Sequence, residues 1–172
     1  MKTHALSLAR QAVEHHVRTG GLIAPPATLP ASLSHPGAVF VTLRKGEALR
    51  GCIGTLAATK PTLADELIAN AIAAAVSDRR FPPVTPAELD ALSYEVDLVG
   101  PLSPVTGEEE LDPARYGVVV ESGERRGVLL PAIEGITSPH EQIRIARAKA
   151  DISPTEPLRL YRFTVVRFRE GE

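Results

Sequence analysis

The sequence predicts an α+β fold, with mixed or antiparallel sheets and packed helices. Two observations carry that expectation. Segments with helical spacing and hairpin-like strand pairs both occur along the chain. No dinucleotide fingerprint, phosphate-binding loop or HExxH motif is present to favour a doubly wound parallel sheet. The 172 residues, 44% of them hydrophobic, suffice for one sizeable core or for two small subdomains sharing one.

Leu6, Ala9, Val13 and Val17 share one broad face of a helix, and Gly20-Gly21 stops it. Residues 22–37 are rich in proline and small residues and read as an extended connection. Ala38–Leu43 forms a strand, Arg44-Lys45-Gly46-Glu47 turns it, and the chain returns from Ala48 to about Ile53. Thr62 caps a second helix that ends near Val76, with Asp65 and Glu66 close to its positive end. Leu63, Leu67, Ile68, Asn70, Ala71, Ile72 and Ala75 mark its broad inner side.

Thr85-Pro86-Ala87-Glu88 has the pattern of a capped turn. Leu92–Val99 then alternates, which sends Leu92, Tyr94, Val96 and Leu98 to the core. It leaves Ser93, Glu95 and Asp97 facing water or a partner. Residues 101–113 are acidic and turn-rich, as expected of a surface excursion or a junction between subdomains. Tyr116–Val120 and Arg126–Leu130 pair around Ser122-Gly123. A third helix runs from about Pro139 to Ala150, with Ser138 as cap and Glu141 as its reciprocal partner. Leu160–Phe168 reads as one long strand.

Composition excludes several classes of function. A net charge of −2 gives no strong nucleic-acid signal, since a nucleic-acid binder usually shows a basic excess. Arg159, Arg162, Arg167 and Arg169 lie among aromatics near the end of the chain, but spread over both faces of the expected strand. A single cysteine allows no internal disulfide, no CxxC pair and no cysteine-rich zinc site, which fits a reducing, cytoplasmic compartment. Met1–Arg18 lacks the apolar core of a signal peptide, and no apolar run is long enough to cross a membrane. His4, His15 and His16 form no convincing metal set, and neither a metal nor a cofactor is expected.

The chemistry-bearing segment is Arg50-Gly51-Cys52-Ile53-Gly54-Thr55. Cys52 reads in three ways: a small buried core residue with Gly51 and Gly54 relieving crowding, a reactive or ligand-contacting thiol, or a metal ligand. For the reactive reading, alternation places Arg50 beside Cys52, where its charge lowers the thiol pKa or binds an anion. Gly51 and Gly54 then allow a ligand close to the backbone. His140, near a helix start, is a candidate base for Cys52. Glu134 is its candidate acid partner, weighted above Glu141, which capping already explains. Arg79 and Arg80, before Phe81-Pro82-Pro83, either terminate a helix or bind a small anionic ligand such as a carboxylate or phosphate.

The segments Ala38–Leu43, Leu49–Gly54, Asn70–Ala74, Asp78–Pro83, Leu92–Val99, Gly127–Pro131 and Tyr161–Phe163 together resemble the AMMECR1 domain family. The resemblance covers nearly the whole chain, and Leu49–Gly54 is a specific marker of it. Arg79 departs from the pattern, which commonly has proline there. The resemblance implies a single α+β domain over residues 1–172, with a large and a small subdomain. It also implies a setting, because microbial members accompany a Memo-like protein and a radical SAM enzyme in the AmmeMemoRadiSam system. Two functions follow as expectations. One is an accessory or scaffold component of a multi-protein modification pathway with those partners. The other is a small cysteine-dependent transferase, hydrolase or carrier using Cys52.

Overall fold

The computed structural model describes residues 1–172. Helix α1 spans Lys2–Thr19 and buries Ala5, Leu6, Leu8, Ala9, Ala12 and Val13. It ends at Gly20, whose φ of 74° turns the chain while its N–H bonds to the His16 carbonyl. Strands β1 (Ala38–Lys45) and β2 (Ala48–Gly54) form a hairpin closed at Gly46, φ 61°. Helix α2 spans Leu63–Val76, with the Thr62 hydroxyl accepting from the Asp65 N–H as expected of a cap. Thr85 and Glu88 cap the short 3-10 turn Pro86–Ala91, which leads into β3 (Leu92–Val99).

Strand β4 (Ser103–Val105) follows, then the hairpin of β5 (Gly117–Ser122) and β6 (Arg125–Leu129). Helix α3 spans Pro139–Lys149, and β7 (Arg159–Phe163) and β8 (Val165–Arg169) complete the fold. The expected α+β class holds. Every strand pair whose register is defined, β1–β2, β1–β3, β4–β7, β5–β6 and β5–β7, is antiparallel.

The chain divides into two compact units. The first comprises Met1–Val99 and Val166–Glu172, and its sheet has the order β2-β1-β3-β8. Helices α1 and α2 pack together over one face of it. There Val39, Val41, Leu43, Tyr94 and Val96 meet Val13, Leu67 and Ala71 in an aliphatic core. The second unit comprises Gly100–Val165, with the sheet β4-β7-β5-β6. Its core gathers Val118, Val120, Leu129, Ile143, Ala146 and Ile152 beneath α3.

Four local expectations are corrected. Leu160–Phe168 is not one strand, because β7 ends at Phe163 and β8 begins at Val165 in the other sheet. Between them, the Thr164 carbonyl accepts from the Gly100 N–H at 2.8 Å. Glu95 and Asp97 are buried rather than solvent-facing, at 5% and 0% exposure. Arg167 of β8 binds both Asp97 oxygens, at 2.6 and 3.1 Å, and reaches Glu95 at 3.2 Å, while Arg169 also pairs with Glu95. Two cations on the neighbouring strand thus make burial of two anions tolerable. The Ser138 cap is one-sided: its hydroxyl accepts from the Glu141 N–H, while the Glu141 carboxylate lies 3.7 Å from Arg144. Finally, β2 does not alternate without interruption. Leu43 faces Gly51 and Arg44 faces Leu49, so Arg50 is the extra residue of a β-bulge.

Candidate functional site

The site is built on β2, an edge strand of the first unit's sheet. Its two glycines let neighbours approach where any side chain would intrude. A Cβ on Gly51 would fall 2.0 Å from the Ala74 carbonyl oxygen, so α2 lies directly on the strand backbone there. A Cβ on Gly54 would fall 2.2 Å from the Phe40 ring, which covers its cross-strand partner.

Cys52, between them, is partly exposed. It stands opposite Thr42, whose hydroxyl donates to the sulfur at 3.2 Å. The Cys52 N–H donates to Asp78 Oδ2 at 2.9 Å. Asp78 is buried just past the end of α2 and is gripped by Arg80. The Arg80 backbone N–H and Nε both reach Oδ1, at 3.1 and 3.0 Å, and Nη2 reaches Oδ2 at 2.7 Å. This bidentate hydrogen bonding from Arg80 holds the Asp78 carboxyl far below the usual carboxylate range, with the Cys52 N–H adding to it and burial opposing. The same bond to Asp78 raises the Arg80 pKa against the opposing effect of burial, and the charge of Asp78 raises it further. The outward N–H of an edge strand is therefore closed by a carboxylate, itself locked by a half-exposed guanidinium.

Arg50 points its Nε and Nη2 at the two oxygens of Glu88, at 3.0 and 3.1 Å, and its Nη1 is buried without a hydrogen-bond partner. The Arg50 bonds, with those from Thr85, draw the Glu88 carboxyl down to about 2. Arg79 is exposed beside Arg80. Thus Gly51, Cys52, Gly54 and Arg80 gather around one stretch of β2, with Arg50 at its bulge. His140 and Glu134 belong to the second unit. His140 is exposed on the first turn of α3, with Nδ1 3.3 Å from Glu108 Oε1, and Glu134 is exposed in the loop before that helix.

Sequence reasoning gave no site role to Thr42, Asp78 or Glu88. Nor did it single out Glu66, which is 1% exposed. Glu66 accepts from the Thr55 hydroxyl at 2.8 Å and from the Thr59 and Lys60 N–H groups at 2.7 and 2.8 Å, folding residues 55–60 back onto α2. Asn70 donates to the Val39 carbonyl at 3.0 Å. The one available signal was two polar residues on the apolar side of a helix. No group of three or more His, Cys, Asp or Glu side chains is placed to hold a metal ion, and no helix is long and apolar enough to cross a membrane.

The AMMECR1 family model matches residues 6–168. The chain belongs to the AMMECR1 family. A relative in Thermotoga maritima is 49% identical over 164 residues, covering 94% of each chain. One in Clostridium acetobutylicum is 38% identical over 168 residues, covering 96% of this chain but only 36% of that longer protein. The crystal structure of the uncharacterized protein PH0010 from Pyrococcus horikoshii matches with a TM-score of 0.93 at 34% identity, over 99% of this chain and 91% of that one. The AMMECR1 match spans both units, and with them the Cys52–Asp78–Arg80 cluster.

Proposed function

We propose that the protein is an accessory or scaffold component of a multi-protein modification pathway, working with a Memo-like protein and a radical SAM enzyme. The observation that favours this reading is how the groups around Cys52 are used. Its N–H is taken by Asp78, its sulfur by the Thr42 hydroxyl, and Arg80 is locked onto Asp78. A nucleophile's site needs such donors directed at a substrate oxyanion, whereas here they hold an edge strand in shape. Analytical ultracentrifugation with the Memo-like and radical SAM proteins of the same organism tests the reading. A stoichiometric complex with either is the expected result. Sedimentation of all three as independent species overturns it.

A second reading has its own support. The Cys52 thiol is partly exposed, accepts a hydrogen bond from the Thr42 hydroxyl and sits on a backbone N–H that shares Asp78 with Arg80, an arrangement open to a reagent or ligand. In that reading Cys52 carries a transferase, hydrolase or carrier reaction. Arg50, Arg79 and Arg80 offer a carboxylate or phosphate their charge, Gly51 and Gly54 admit it near the backbone, and His140 with Glu134 moves the proton. Alkylation rate against pH, with unfolded protein and Cys52→Ala as controls, separates the two. Rapid native labelling with a midpoint well below the ordinary thiol value of about 8.5 supports chemistry at Cys52. Labelling that appears only on unfolding removes it.

A further inference from the structure

We propose that the turn Asp78–Val84 is the surface by which this chain docks a partner protein, with Arg79 taking a carboxylate from an acidic segment of that partner. Such a surface gives the accessory or scaffold reading, on which it rests, a place on the molecule. The starting point is how the cations are used. The chain carries 19 lysines and arginines at a net charge of −2, and nearly all of them are occupied within the fold. Even exposed ones find acids: Arg18 pairs with Glu14, Arg126 with Glu121 and Arg144 with Glu141. Only Lys60 and Arg79 have side chains with no hydrogen bond, ion pair or ring contact, and both are exposed.

The turn that carries Arg79 is fixed from several directions. Asp78 is buried and accepts from the Cys52 N–H, the Arg80 N–H and the Arg80 guanidinium. The Phe81 N–H donates to the Asp78 carbonyl at 3.1 Å, and the Val84 N–H donates to the Ala75 carbonyl at 2.8 Å. Pro82 and Pro83 each lock a further φ angle. A segment held in this way loses little freedom when a partner settles on it, so binding there avoids the ordering cost of a flexible loop.

The same turn presents residue types that interfaces favour. The Arg80 guanidinium lies 5.5 Å over the half-buried Phe81 ring, and Pro82 and Pro83 beside it are exposed. Asp78 is the turn's single acid, and Arg80 already holds it. Arg79 is therefore a planar, two-pronged donor whose charge nothing nearby in the turn balances, next to a small apolar shelf. The surface complementary to it is a carboxylate flanked by apolar side chains.

Isothermal titration of the full chain against the Memo-like protein and against the radical SAM enzyme, at low and at physiological ionic strength, tests this. For whichever protein binds, Arg79→Glu is expected to weaken the complex about tenfold or more and Arg79→Lys to weaken it less, with wild-type affinity falling as salt rises. Lys60→Glu makes a like charge change at the other unpaired cation, about 20 Å away along α2, and is expected to leave the affinity unchanged. Arg79 makes no polar contact in the fold, so its variants keep the wild-type urea midpoint. An Arg79→Glu chain that binds like the wild type overturns the proposal and leaves the accessory reading standing, as does equal weakening by Lys60→Glu. Displacement of the partner by inorganic phosphate at matched ionic strength assigns Arg79 to a small anion and overturns it too. A wild-type chain that binds neither protein overturns both.

Discussion

Gly51 and Gly127 are set by space, since each lies under a helix carbonyl that a methyl group would strike. The obstacle is backbone, so neither site relaxes by turning a side chain. Gly51→Ala and Gly127→Ala are each expected to lower stability by about 3 kcal/mol, read from urea midpoints. Asp78 and Glu88 set the acid limit. Both carboxyls are held below their unfolded values by arginine. Their stabilisation is therefore full above the unfolded values of about 4 and is lost as pH falls toward the folded ones. The urea midpoint should fall progressively from about pH 4.5 down to 2, and Asp78→Asn should flatten that fall while costing about 1–3 kcal/mol at neutral pH. An acid limb of unchanged steepness in Asp78→Asn would remove Asp78 from this role. The sequence exposed Cys52, Arg50 and Arg80 as candidates because their residue types carry chemistry. It did not expose the bonds that define them. Cys52 meets a carboxylate 26 residues away and Arg50 one 38 away, and no local pattern encodes those meetings.

Helix ends were legible because a cap is written within four residues. Thr62 caps as read and Ser138 caps from one side only, and Thr62→Ala or Ser138→Ala should each cost about 1 kcal/mol in thermal or urea unfolding. Strand β3 was legible only as a strand. Its alternation placed Leu92, Tyr94 and Val96 in the core correctly, but polarity alone sent Glu95 and Asp97 to water or a partner rather than into the protein. Their cations arrive 70 or more residues later on β8. Arg167 is 17% exposed and bridges both acids, so its removal leaves buried charge with less compensation. Arg167→Met should therefore cost about 3 kcal/mol or more. A loss below 1 kcal/mol would mean that water or Arg169 replaces it. The division of Leu160–Phe168 into two strands had no sequence signal, because apolar and basic residues run through Thr164 without a turn former. The division comes from a change of sheet.

Over the whole molecule, the family and the α+β class were legible from ordered segments spread along nearly the full length. The strand order was not, because pairing partners are chosen by the completed cores rather than by neighbours in sequence. Gly100 shows the scale at which such choices act. A Cβ there would lie 2.7 Å from the Thr164 hydroxyl. Gly100→Val should lower the urea midpoint of the second unit, read from hydrogen exchange in β5 and α3 peptides, and an unchanged midpoint would mean that Thr164 yields to the added side chain. The strand order also bears on biosynthesis. Strand β3 is made long before β8, the strand that covers its outer edge. At about 5–20 residues per second, a ribosome exposes that unpaired edge for several seconds while residues 100–164 are still being made. The first half of this chain is thus a natural client for a nascent-chain chaperone. A stop codon before Val165 would release a product with an open β3 edge, prone to strand-to-strand aggregation.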